Sequence, residues 1–179
     1  MTTFVLTVVG ADRPGLVSAL SSVVAEHGGN WLTSRMAQLS GQFAGVVLVE
    51  VTPERTAALR AGLADLAASG LRVEVTEAGP AEAAPSSAAA TDAGVAPDGD
   101  SRTLDVTLLG DDRPGIVRQI TGALAAYGVS IEELETGTRA APMAGGQLFE
   151  ARARLRVPAG TDLEALRAAL EHIADELLV

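Results

Sequence analysis

The sequence predicts an α+β fold made of two copies of one small unit in tandem, each with an antiparallel sheet and helices on one face. The main observation is a repeat: GADRPG at residues 10–15 returns as GDDRPG at residues 110–115. Each copy follows a short apolar run and precedes a stretch with helical spacing. The offset (110 minus 10, or 100 residues) indicates two domains rather than a solenoid of short repeats.

A change of composition separates the two units. Residues 79–100 are rich in Ala, Pro, Ser, Gly and acidic side chains, with almost nothing large to bury. Such a segment favours irregular chain over packed structure. We therefore expect a first domain at residues 2–78 (the first unit), a linker at 79–100 and a second domain at 101–179 (the second unit).

Within each unit the period of the apolar residues changes in the same order. Alternation at residues 4–9 and 104–109 predicts first strands, and helical spacing follows up to Gly28 and Gly128. The remaining elements are expected as hairpins at 31–39 with 43–51 and at 131–138 with 147–157, second helices at 54–68 and 162–175, and closing strands at 71–76 and, shortened, at 176–179. The order is β-α-β-β-α-β, the ferredoxin-like unit.

The composition argues against several classes of function. The net charge of −10 argues against direct nucleic-acid binding, which needs clustered Lys and Arg. The absence of cysteine removes disulfides and thiolate metal sites. The sequence shows no signal peptide and no apolar run of membrane-spanning length, so we expect a soluble cytoplasmic protein without membrane contact. No catalytic motif, metal-ligand cluster or cofactor fingerprint is present, so we expect no enzyme and no cofactor.

The repeated loop joins a strand to a helix. The first N–H groups of that helix, near Gly15 and Leu16, would favour a carboxylate. Asp12 beside them could accept a hydrogen bond from an ammonium group, and an α-amino acid carries both groups. Alternatively, Asp12 and Asp112 only cap their helices. Both readings predict the repeat, so both stay open.

The order of strand, Asp-Arg-Pro-Gly, helix, Gly, Asn and hairpin resembles the ACT domain, a small amino-acid-sensing module. Both units match over their length, except for the weak last strand of the second. The tandem arrangement, with ADRPGLV at 11–17, SRMAQL at 34–39 and TRAAP at 138–142, resembles the glycine cleavage system transcriptional repressor family.

The resemblance implies a ligand site at an interface between two domains, made by the loop after the first strand and a polar side chain at the start of the second. The residues implied are Gly10, Asp12, Gly15, Leu16 and Asn30 in the first unit, and Gly110, Asp112, Gly115, Ile116 and Ser130 in the second. Asn30 offers a donor and an acceptor, whereas Ser130 reaches less far. We therefore favour a site where the Asp12 loop meets Asn30.

The resemblance also implies a function. It points to an amino-acid-sensing regulatory protein that represses glycine cleavage genes indirectly, by contacting a DNA-binding activator. The ligand would be a small amino acid of the glycine or serine class. The alternative is a ligand-free interaction scaffold, or an adaptor that controls a metabolic enzyme directly.

The sheet of the first unit carries apolar residues on both faces. Residues 46–51 are apolar on both sides, and Val5 and Val9 add to the face away from the helices. Because a sheet that is apolar on both faces is normally covered on both, we expect a homodimer or a tight intramolecular pair. In the second unit the same face is charged, with glutamates at 132, 133 and 135 as expected partners of Arg152, Arg154 and Arg156.

Overall fold

A computed structural model of the chain describes residues 1–78, 101–140 and 147–175. The elements are β1 Thr2–Ala11, α1 Leu16–Glu26, β2 Asn30–Leu39, β3 Gln42–Val51, α2 Thr56–Asp65, β4 Leu71–Glu77, β5 Ser101–Asp111, α3 Ile116–Ala126, β6 Ser130–Ala140, β7 Gln147–Pro158 and α4 Leu163–Asp175. The predicted α+β fold with two ferredoxin-like units is confirmed. The expected linker at 79–100 and the expected final strand at 176–179 lie outside the described residues.

The described strands form one antiparallel sheet of seven strands that runs through both units. Its order is β4-β1-β3-β2-β6-β7-β5. The two units therefore stand side by side, joined where β2 pairs with β6 between residues 34–37 and 133–136. β2 and β6 would each be an edge strand in a separate unit. By pairing, each satisfies the backbone hydrogen-bonding groups of the other, so neither edge is left open to solvent.

Local sequence explains where the elements begin and end. Gly15 is the N-cap of α1 with φ 88°, a left-handed conformation that glycine adopts without strain. The β2–β3 hairpin turns through Ser40 and Gly41, both with positive φ, as a two-residue hairpin turn requires. Pro14 precedes the cap, so α1 begins at Leu16, just after the predicted start.

The helices lie on one face of the sheet, and the core lies between. In the first unit, Leu20 and Val24 of α1 are buried against the inner face of β1, which presents Phe4, Leu6 and Val8. In the second unit the buried inner-face residues include Phe149 and Leu155 of β7. The alternation predicted from the sequence thus decides which side of each strand is buried.

A pseudo-two-fold axis relates the two units. Arg35 pairs in register with Glu135, its own counterpart 100 positions later, and their side chains form an ion pair of 3.0 Å. Behind the sheet, Ser21 of α1 meets its counterpart Thr121 of α3, with 3.0 Å between the hydroxyl oxygens. The repeat seen in the sequence is therefore also a symmetry of the packing.

The two units form an intramolecular pair, which is one alternative of the prediction, but the second unit does not cover the open face of the first. The second unit extends the sheet sideways, because β6 pairs with the edge of β2 instead of stacking on it. Val9 remains 44% exposed and Val46 46% exposed. Within one chain, the apolar outer face of the first unit stays uncovered.

Candidate ligand-binding site

The predicted meeting of the Asp12 loop with Asn30 is wrong. β1 and β2 both pair antiparallel with β3, so they run in the same direction. Near the end of β1, Gly10 lies opposite Phe43, whereas Asn30 at the start of β2 lies opposite Glu50. These β3 residues are about 23 Å apart at roughly 3.3 Å per residue, so the loop and Asn30 occupy opposite ends of the sheet.

Each loop instead faces the other unit. Because β2 and β6 pair antiparallel, the start of β2 lies at the same end of the sheet as the end of β5. Asn30 therefore comes together with the loop that carries Gly115, and the start of β6 comes together with the loop that carries Asp12. The expected interface between two domains is present, but its partners are crossed.

The crossing at Asn30 holds an open cleft of about 650 Å³. Its polar lining comes from both units: Asn30 and Glu50 from the first, Arg118 and Gln119 from the second. Gly115, the N-cap residue of α3, also lines it. A cleft of this size admits an amino acid, and it offers groups of both charges.

At the crossing with Asp12 the two units enclose a small inner cavity. Asp12, Gly15 and Leu16 lie against Val129 and Ile131, the neighbours of Ser130, and only about 10 Å³ remains between them. That is the volume of about one water molecule. The symmetry-related cavity at the other crossing, between Trp31 and Gly115, also measures about 10 Å³, so the inner parts of the two crossings are alike.

The capping alternative is also wrong. The N-cap residues of α1 and α3 are Gly15 and Gly115, and neither helix has a side-chain cap hydrogen bond. Asp12 and Asp112 precede these caps in the loops. Capping therefore does not explain why both repeats carry an aspartate.

The two predicted strand-end glycines have structural roles. A Cβ on Gly10 would lie 2.8 Å from the carbonyl oxygen of Gly70, so only glycine allows that close approach. Gly110 is buried in β5 opposite Phe149. Neither lines the described clefts, and the side chain of Ile116 is buried in the core.

Both loop aspartates, Asp12 and Asp112, have raised pKa values. Burial raises the pKa of the Asp112 carboxyl above its ordinary value of 3.8. Among the described residues, its Oδ1 is buried without a hydrogen-bond partner. Burial also raises the pKa of Asp12, and nearby Glu132 adds to that rise while Arg156 opposes it.

A pH dependence of stability follows from Asp112. Its pKa in the folded chain lies above 3.8, so the folded state holds this proton more tightly than the unfolded chain. Stability therefore falls as the pH rises from 3.8 through the raised value. We expect Asp112→Asn to reduce this fall and to be more stable than the parent at neutral pH, as measured by denaturant unfolding from acid to neutral pH. An unchanged pH profile would contradict the assignment.

Sequence reasoning missed three residues of the open cleft: Glu50, Arg118 and Gln119. Arg118 lies 3.9 Å from Glu26, a loose ion pair with both side chains at least half exposed. Gln119 accepts a 2.6 Å hydrogen bond from Arg113 Nη2, which holds the second loop against α3. Arg118 and Gln119 belong to the cleft only because the units cross, which no pattern within one unit reveals, whereas Glu50 lies opposite Asn30 in the β2–β3 register.

The described residues also bear on metal binding and on membrane-spanning helices. Within residues 1–78, 101–140 and 147–175, no group of three or more His, Cys, Asp or Glu side chains could hold a metal ion. Over the same part of the chain, no helix combines the length and apolar character needed to cross a membrane.

Comparison with known proteins identifies relatives of both units. The model of the family described as ACT domain matches residues 2–76 and 102–179. The UPF0237 protein of Methanopyrus kandleri is 40% identical over 79 residues, which is 44% of this chain and 77% of that protein. The family match thus covers both repeats, whereas the match to this relative has the length of about one unit.

Solved structures of similar length also align. A protein of unknown function from Galdieria sulphuraria is 30% identical, with a TM-score of 0.41, over 98% of this chain and 92% of that one. A protein provisionally described as a glycine cleavage system transcriptional repressor is 20% identical, with a TM-score of 0.42 and the same coverage. At these TM-scores the two likenesses give no information about function.

Proposed function

Because this chain belongs to the ACT domain family, we propose that it is a regulatory protein that senses a small amino acid in the cleft between Asn30 and the Gly115 loop. The observation that carries the proposal is the open cleft of about 650 Å³, built by both units and lined by groups of both charges. A ligand bound there touches both units at once. Its binding therefore stabilises their side-by-side arrangement.

The chemistry of the lining suits an α-amino acid. Arg118 and the first N–H groups of α3 supply donors for the carboxylate, at the positive end of the helix dipole. Glu50 lies opposite Asn30 in the β2–β3 register and supplies an acceptor for the ammonium group. The Asn30 amide can bridge the two groups, because it both donates and accepts.

The regulatory output we propose is indirect. The acidic balance of the chain disfavours a grip on nucleic acid, so the ligand-bound form acts on a protein partner in the cytoplasm. The finer proposal, from the sequence resemblance, is repression of glycine cleavage genes through a DNA-binding activator. A glycine- or serine-class ligand fits that role.

A second candidate is a scaffold or adaptor whose ligand sites have lapsed. The inner cavities of both crossings, about 10 Å³ each, leave no room for an amino acid, which supports this candidate. The open cleft beside Asn30 supports the sensing proposal instead, since a scaffold has no need of it. A pull-down that recovers a metabolic enzyme instead of a transcription factor would favour the adaptor.

A thermal-shift screen of the twenty amino acids tests the proposal. A ligand at 100 times its Kd adds about 2.7 kcal/mol to stability, which raises the melting temperature by several degrees for domains of this size. We expect one small class of amino acids to give this shift. If none does at saturating concentration, the sensing proposal fails and the scaffold candidate stands.

A further inference from the structure

The outer face of the first unit is an apolar surface on the sheet, on the side away from the helices. Val5 and Leu48 face each other across β1 and β3, Val46 lies in the next row on the same face, and Val9 lies in the row after that. Val9 and Val46 are each more than 40% exposed. We call these four residues, together with Ala44 opposite Val9, the outer patch.

The second unit shows what the same positions carry when they face water. The pair Val5–Leu48 of the first unit corresponds to Asp105–Arg154 in the second, at the same place in the β5–β7 register. That pair forms an ion pair of 3.2 Å. Val46 likewise corresponds to Arg152. Two copies of one fold thus present an apolar face and a charged face, which indicates that only the first is covered in the working protein.

Charges border the outer patch in a self-complementary way. Glu74 on β4, Thr7 on β1, Val46 on β3 and Arg35 on β2 lie in one row across the four strands. The row therefore begins with an acid at one edge and ends with a base at the other. Arg35 is about half exposed, so its guanidinium can bind a second carboxylate besides that of Glu135.

We propose that the outer patch binds the outer patch of a second copy of this chain. The two first units stack face to face as an aligned sheet sandwich. Their two-fold axis runs parallel to the strands, between β1 and β3. This rotation leaves each row at the same height along the strands and exchanges the two ends of the row. Glu74 therefore lies over Arg35 of the partner subunit, and Arg35 lies over the partner's Glu74.

Size and position agree with this arrangement. Three strands of ten residues and one of seven, at about 4.8 Å spacing and about 3.3 Å per residue, make a face of about 600 Å², close to the roughly 800 Å² per partner of a standard interface. In this dimer the second units project beyond the sandwich on opposite sides. Their faces stay in water, as their charges require.

Sedimentation equilibrium of the full chain tests the proposal. We expect the parent to be a dimer and Val5→Asp/Leu48→Arg, which installs the cross-strand pair found in the second unit, to weaken dimerisation by about a hundredfold or more, the scale of losing two buried anchors. The control is Leu109→Lys, a comparable exposed apolar position on the outer face of the second unit. It should leave the dimer unchanged.

A surface variant gives an independent measurement should the double variant fold poorly. Glu74→Lys places two bases together in the proposed dimer and should weaken it a few-fold, the scale of exposed ion pairs. Its control is Glu77→Lys on the same strand, which alternation places on the opposite face. A monomeric parent at every concentration, or a dimer that neither Val5→Asp/Leu48→Arg nor Glu74→Lys weakens, would overturn the proposal.

Discussion

Asn30→Ala is expected to lower the affinity for the cognate amino acid by about 10- to 150-fold. The variant removes hydrogen bonds to the charged groups of the ligand, and such bonds contribute about 1.5–3 kcal/mol. Calorimetric titration of the folded variant measures the change. Because Asn30 is only partly buried at the start of β2, the fold should tolerate the truncation.

The crossed geometry supplies matched controls. Ser130 is the counterpart of Asn30 in the second unit, and it lies at the other crossing, with Asp12. Ser130→Ala and Asp12→Ala should therefore leave ligand affinity unchanged. If Asp12→Ala abolishes binding while Asn30→Ala does not, the ligand occupies the other crossing and the proposed site is wrong.

Patterns within one unit predicted much of the fold. Alternation along β1 and β7 indicated which residues are buried, and Ser40-Gly41 marked the turn. Two of the expected charge pairs on the second unit form, with Arg154 Nη1 3.6 Å from Glu133 and Arg156 Nε 2.8 Å from Glu132. Such contacts follow from period-two spacing on paired strands of a hairpin. Arg152 instead pairs with Glu150, and Glu135 pairs with Arg35 of the first unit.

The arrangement of the two units could not be predicted in the same way. Pairing of β2 with β6 rests on backbone hydrogen bonds, which any edge strand offers, so periodicity does not select the partner strand. The prediction that the Asp12 loop meets Asn30 failed for a related reason. Whether β1 and β2 run parallel depends on the order of the strands in the sheet, which periodicity does not give. The antiparallel join then decides which loop each strand start meets.

Trp31 illustrates the same limit. Its place next to Asn30 suggested a core or interface position, with a pocket wall as a further possibility. The side chain is buried, and its indole Nε1 donates a 3.1 Å hydrogen bond to Thr136 Oγ1 in the other unit. The residue type indicated burial, but the partner lies 105 residues away in sequence.

Thr136→Val should destabilise the chain by about 2–4 kcal/mol, because Thr136 is the polar centre of the join between the units. Its buried hydroxyl accepts from Trp31 and forms a 2.8 Å hydrogen bond with Ser34. Valine has nearly the same shape but leaves both partners unpaired in the interior, and each buried polar group left unpaired costs about 1–3 kcal/mol. Denaturant unfolding of the full chain measures the loss.

Thr136→Ser provides the matched control, since it keeps the hydroxyl and removes only a methyl group, at a cost of about 1 kcal/mol. The hydrogen bond from Thr33 Oγ1 to the backbone carbonyl of residue 136 survives in both variants. The hydroxyl network should therefore account for the difference between them. Because the open cleft is built from both units, Thr136→Val should also weaken amino-acid binding without touching the cleft. If the valine variant is as stable as the serine variant, the units are held together by backbone pairing and apolar packing instead.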